Sequence, residues 1–172
     1  MAWTAPRTWV TGELVTASLM NTHVRDNLNY LKSQTDAMLG YALQLATATQ
    51  DPADSTTYYG GAYPSFAVGT TAARFNLAVP KAGSITMATA GVKVEGTLGS
   101  NESITIAVRK NNSTDVTITS AAKANARVQT YSNTSMSLAV SAGDALELKI
   151  TTPAWVTNPT QVAWQAAVYI TP

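Results

Sequence analysis

"SITIAVRKNNSTDVTITS", residues 103–120, reads as two strands joined by a turn. Ile104, Ile106 and Val108 alternate with small or polar residues on the way in, and Val116 and Ile118 do so on the way out. A period of two sends one set of side chains into a core and the other toward water or a neighbouring subunit. Between them, "RKNNSTD" is rich in the residues that turns use.

The same alternation fills the chain from about residue 75 to its end. Phe75, Leu77 and Val79 precede the turn "PKAG"; Ile85 and Met87 follow it, then Val92 and Val94. Met136, Leu138 and Val140 run into "SAGD", and Leu146, Leu148 and Ile150 leave it. The last strand carries Val162, Trp164, Ala166, Val168 and Ile170. Roughly eight short strands at ~8 to 12-residue spacing predict an antiparallel sandwich or barrel. A parallel α/β enzyme would need helices between the strands, and no helical pattern follows residue 40.

Composition narrows the function. A chain of 172 residues with 45% hydrophobic content suits one domain and an extension. Eleven basic and ten acidic residues, scattered singly, give a net charge of +1 and no basic stripe. Nucleic acid and anionic membrane are therefore not expected partners. No cysteine is present, so disulfides and thiolate metal sites are excluded and stability must come from packing or assembly. "MAWTAPRTWV" lacks the charged, apolar and small-residue order of a secretory signal, which predicts a protein made in the cytoplasm.

One helix stands at the front. Residues 1–15, with Trp3, Pro6, Trp9 and Gly12, have no periodicity and predict an extended arm whose tryptophans need a surface to bury against. Thr16 can cap a helix, Val15 and Met20 hold the staple positions, and Leu19 stands where a capping box would place Glu or Gln. Val24, Leu28, Leu31 and Met38 then fall on one side, with polar Asn21 and Thr35 in the seam between them. Such a stripe packs on its own domain or forms a short parallel coiled coil between identical chains, in which the polar residues set register. A helix of ~24 residues would reach ~36 Å, more than one small domain needs to cover, and favours the stem. Gly40 is the expected stop.

Catalytic chemistry lacks parts. His23 is the only histidine, beside the seam, and neither a Ser-His-Asp arrangement nor a histidine metal site can be assembled from it. Asp144 and other carboxylates sit at turns where backbone geometry asks for them. No Gly-rich phosphate loop occurs. The reading is of a non-enzyme with no catalytic residue, cofactor or metal. Tyr58, Tyr59 and Tyr63, around Gly60-Gly61, and Trp155 in "TTPAWVTNPT" are expected on loops, where aromatics make subunit interfaces or ligand contacts.

The stretch "TWVTGELVTASLMNTHVRDNLNYLK" resembles a segment near the start of many tailed-bacteriophage structural proteins. The matching positions are Trp9, Gly12, Glu13, Thr16, Ala17, Met20, Asn21, Val24, Arg25, Asp26, Asn27, Leu28 and Leu31. Residues 57–172, through "ITIAVRKNN", "SAGDALELKI" and "VAWQAAVYI", are similar to the jelly-roll sandwiches of the C1q and tumour-necrosis-factor type, which commonly form trimers. Together these resemblances imply an anchoring arm (1–15; Trp3, Pro6, Trp9), a trimeric stem (16–40; Met20, Val24, Leu28, Leu31, Met38), a connector (41–56) and a jelly-roll head (57–172). They imply a homotrimeric bacteriophage virion protein, a capsid decoration or head fibre held by the major capsid protein or another virion protein. The alternative is a tail fibre or tail-tip protein whose head loops contact a host surface glycan or protein.

Overall fold

A computed structural model describes residues 3–38, 40–61, 68–72, 76–123 and 125–172, with the backbone alone at 36–38. Two compact units divide the chain, Met1–Gly40 and Tyr41–Thr171.

The second unit is an antiparallel β-sandwich. Its strands are β1 (Tyr41–Ala46), β2 (Thr57–Gly60), β3 (Val68–Gly69), β4 (Leu77–Ala78), β5 (Gly83–Val94), β6 (Ser103–Lys110), β7 (Thr114–Ala122), β8 (Val128–Asn133), β9 (Leu138–Val140), β10 (Ala145–Thr151) and β11 (Val162–Thr171). One sheet runs β1-β11-β5-β8, with β9 continuing the β8 edge of β5; the other runs β3-β2-β10-β6-β7, with β4 also on β10. The first strand pairs with the last, β2 and β4 with β10, β5 with β8 and β9, and β6 with β7. That nested pairing is a jelly roll.

Alternation builds the core as expected. Ile104, Ile106, Val108, Leu146, Leu148 and Ile150 from one sheet meet Val92, Val94, Val162, Trp164, Val168 and Ile170 from the other. The opening hairpin turns through Asn111 and Asn112, both at positive φ, with Ser113 N–H bonded to the Lys110 carbonyl. Asn tolerates that left-handed pair, as a type I′ turn requires. Asn111 is also bonded to Asp144 and Ala145, which ties this turn to the start of β10.

Three expectations change. The compact sandwich unit begins at Tyr41 instead of residue 57: the short strand that the sequence allows around Leu43 and Leu45 forms as Tyr41–Ala46, pairs along β11 and buries Leu45 fully. Met87 is exposed, because the register shifts between Tyr169 and Ile170 and the strand changes face there. Strand β8 was not foreseen. Its one aliphatic residue, Val128, points outward, while Gln129, Tyr131 and Asn133 alternate with it and bond the carbonyls of Ala122 and Thr117 on β7. Phe75 lies outside the described residues.

Candidate functional site

The first unit holds most of the residues singled out by sequence. Thr16 caps the helix with extended backbone, and its hydroxyl accepts the Leu19 N–H at 3.3 Å. Helical residues then run as α1 (Ala17–Met20), a π-helical segment (Asn21–Asp26) and α2 (Asn27–Met38). Met20, Val24, Leu28 and Leu31 are 44, 39, 60 and 49% exposed. The side chain of Met38 lies outside the description.

The arm, without helix or strand, lies on the helix. Asn27, 6% exposed, accepts the Thr4 N–H at 3.0 Å and donates to the Thr4 carbonyl at 2.9 Å and to the His23 carbonyl at 3.3 Å. On either side, Trp3 meets Tyr30 at 6.0 Å between ring centroids, and Trp9 meets His23 edge-on at 6.4 Å. Arg7 lies 4.9 Å over the Trp9 ring and pairs with Glu13. A turn through Gly12, at φ +83°, with Glu13 N–H bonded to the Val10 carbonyl, returns the chain to the helix start. Each arm-bearing position, 23, 27 and 30, directly precedes a seam position, 24, 28 and 31. Consecutive residues lie ~100° apart on an α-helix, so the arm covers the flank beside Val24, Leu28 and Leu31 and leaves these residues exposed. Trp3, Pro6 and Trp9 keep exposed surface. Asn27 is a position of the resemblance, but its contact with the arm is not read from the sequence; the signal for it is polar and aromatic residues at 23, 27 and 30, a second stripe at helical spacing.

In the sandwich, Tyr58 and Tyr59 are on a strand and not on a loop, whereas Trp155 is on the loop expected of it. Tyr58 is on β2, not a loop, and 7% exposed; it stacks on Trp164 at 5.9 Å, and its hydroxyl accepts the Ala53 N–H at 2.8 Å. Trp155 is also 7% exposed, with its backbone N–H on Asp54. Both belong to the hydrophobic core of the single chain. Tyr59, half-buried on β2, packs against Arg109 at 5.5 Å. Tyr63 lies outside the described residues.

The two outer sheet faces differ in chemistry. On the β10 sheet, Asp115 joins Arg109 at 3.0 Å and Lys149 at 2.5 Å, while Glu147 faces Arg109 at 3.7 Å. On the β11 sheet, two shallow grooves of about 160 Å³ each share Gly91 and Gln165. Lys93, Val128 and Ala163 line one; Gln44, Thr89, Thr130 and Ala167 line the other.

Titratable groups with shifted behaviour are structural. The Ser141 backbone N–H and then the Asn111 amide hold the Asp144 carboxyl below its ordinary value. Ser100 does the same for Glu102, and burial pushes the Lys123 ammonium down against the pull of Glu102. Among the described residues no group of three or more His, Cys, Asp and Glu is placed to hold a metal. No helix among them is long and apolar enough to cross a membrane.

No protein-family model and no curated protein matches the chain. Among solved structures, FLHE is similar over 77% of this chain and 98% of its own, at 13% identity and TM-score 0.44. The Eiger TNF of S. frugiperda is similar over 74% and 92%, at 12% identity and TM-score 0.35. Likeness at this level carries no function, and the strand order itself defines the fold.

Proposed function

We propose that this chain is a non-enzymatic bacteriophage virion protein, a homotrimeric capsid decoration or head fibre whose helix joins three copies and whose arm holds the virion. The observation that carries the reading is the exposure of Met20, Val24, Leu28 and Leu31 on a helix whose neighbouring flank is covered by its own arm. Four large apolar side chains left in water on one helix ask for a partner helix, and a second copy supplies the same residues. The bacteriophage assignment rests on the resemblance of residues 8–32. The tail-tip alternative would need other residues of the head loops for a host glycan, since Tyr58 and Trp155 are core in the single chain.

Co-sedimentation with DNA-filled heads that lack the protein tests the location. Saturable binding that is lost when Trp3 and Trp9 are both changed to Ala is expected. No binding to heads, with adsorption to host cells instead, would transfer the proposal to the tail.

A further inference from the structure

We infer that seating the arm and winding residues 21–26 as π-helix are one event, and that release of the arm rewinds the segment to α-helix and brings the seam into line. The inference rests on the stem reading above. Its structural basis is Asn27. Its backbone N–H bonds to the Val24 carbonyl, three residues back, so the His23 carbonyl lacks the amide that an α-helix would give it. The Asn27 side chain donates to that carbonyl instead, and the same amide group grips Thr4 of the arm. One side chain therefore joins the irregular winding to the docked arm.

Nothing local to "NTHVRD" calls for π winding: the segment holds neither Pro nor Gly. The consequence for the seam is geometric. Each i→i+5 turn holds one residue more than an α turn, which sets the following helix back by roughly one residue's rotation, ~100°. Met20 then leaves the line of Leu28 and Leu31, which it shares only under α winding. A docked arm and a continuous apolar seam thus exclude each other. Assembly with further copies favours the α-wound state and releases Trp3 and Trp9 from Tyr30 and His23, so the arm is free to reach out from the assembled stem and stays seated on the helix in the single chain.

The chain has no cysteine, so single cysteines placed in turn from 18 to 31 report which side of the helix is accessible. In dilute full-length protein, thiol reactivity should slip by one residue across 21–26. In Asn27→Ala, and in Thr4→Pro, which removes the arm's donor and leaves the helix sequence unchanged, it should follow an unbroken period of ~3.6. Both variants should assemble at roughly ten-fold lower concentration than the parent. A slip that persists in both variants overturns the coupling, and so does rewinding in Asn27→Ala alone, because residue 27 would then set the winding without the arm. If the slip responds in both variants but Leu28→Asn with Leu31→Asn leaves the oligomer mass unchanged, the coupling stands and the stem reading fails.

Discussion

The side-chain amide of Asn27 holds the backbone of Thr4 from both sides, accepting its N–H and donating to its carbonyl. A neighbouring strand would pair Thr4 in the same way; here a helix side chain does so. Asn27→Ala should cost the docked arm on the order of 2 kcal/mol for the hydrogen bonds lost. The Thr4 amide should then exchange roughly thirty-fold faster, which hydrogen-exchange spectroscopy at single-residue resolution reads directly. An unchanged rate would show that the ring contacts of Trp3 and Trp9 hold the arm by themselves.

Tyr58 should behave as a core residue. Tyr58→Phe removes the acceptor of the Ala53 N–H and should lower stability by about 1 kcal/mol. Tyr58→Ala also leaves a hole beside Trp164 and should cost ~3–5 kcal/mol. Urea midpoints compared at fixed protein concentration test both. A Tyr58→Ala variant as stable as the parent would place the ring outside the core after all.

Gly83 and Gly91 lie on the same strand but should respond differently to an added methyl. At Gly83 a Cβ would stand 2.3 Å from the Thr171 backbone oxygen, which the β5–β11 ladder cannot move cheaply. At Gly91 it would meet Gln165 Nε2 at 2.9 Å and Cγ at 3.0 Å, side-chain atoms alone, which that exposed residue can carry aside by changing rotamer. Gly83→Ala should therefore destabilise by ~1–3 kcal/mol and Gly91→Ala by much less. Equal thermal midpoints for the two would contradict the packing described.

Acid should loosen the turn that carries Asp144. Its carboxyl is held below the ordinary value in the folded chain by the Ser141 N–H and the Asn111 amide. The folded state therefore binds fewer protons than the unfolded one between the two values. The stability it contributes is complete above the unfolded value, near 4, and is lost as pH falls through the folded value. Asp144→Asn should reduce stability at pH 7 and flatten its decline below about pH 4. A parent and variant with parallel acid-unfolding curves would exclude this residue as a source.

The extent to which the sequence disclosed the fold follows from where apolar residues face. Strands with aliphatic residues inward, such as Ile104 to Val108 and Leu146 to Ile150, were legible at once. Strand β8 was hidden because it turns Gln129, Tyr131 and Asn133 inward to bond a strand edge, which inverts the apolar signal. Met87 was misplaced because a bulge changes strand parity without any sequence mark. Tyr58 and Trp155 stand among Pro, Gly and polar residues that suggest loops, yet packing with Trp164 and bonds to Asp54 bury them. In the first unit, the cap at Thr16 and the exposed seam were readable. The arm's seat was not, since a lone Asn on a helix announces no partner until the chain 23 residues earlier is placed against it.

Sedimentation equilibrium of the full chain and of its Leu28→Asn, Leu31→Asn variant tests the central claim most directly. The account predicts three times the 18.1 kDa chain mass for the parent and a single chain for the variant, with the β-sheet circular dichroism of both alike. A parent that stays monomeric at every concentration, or a variant that keeps the parent's mass, would contradict it.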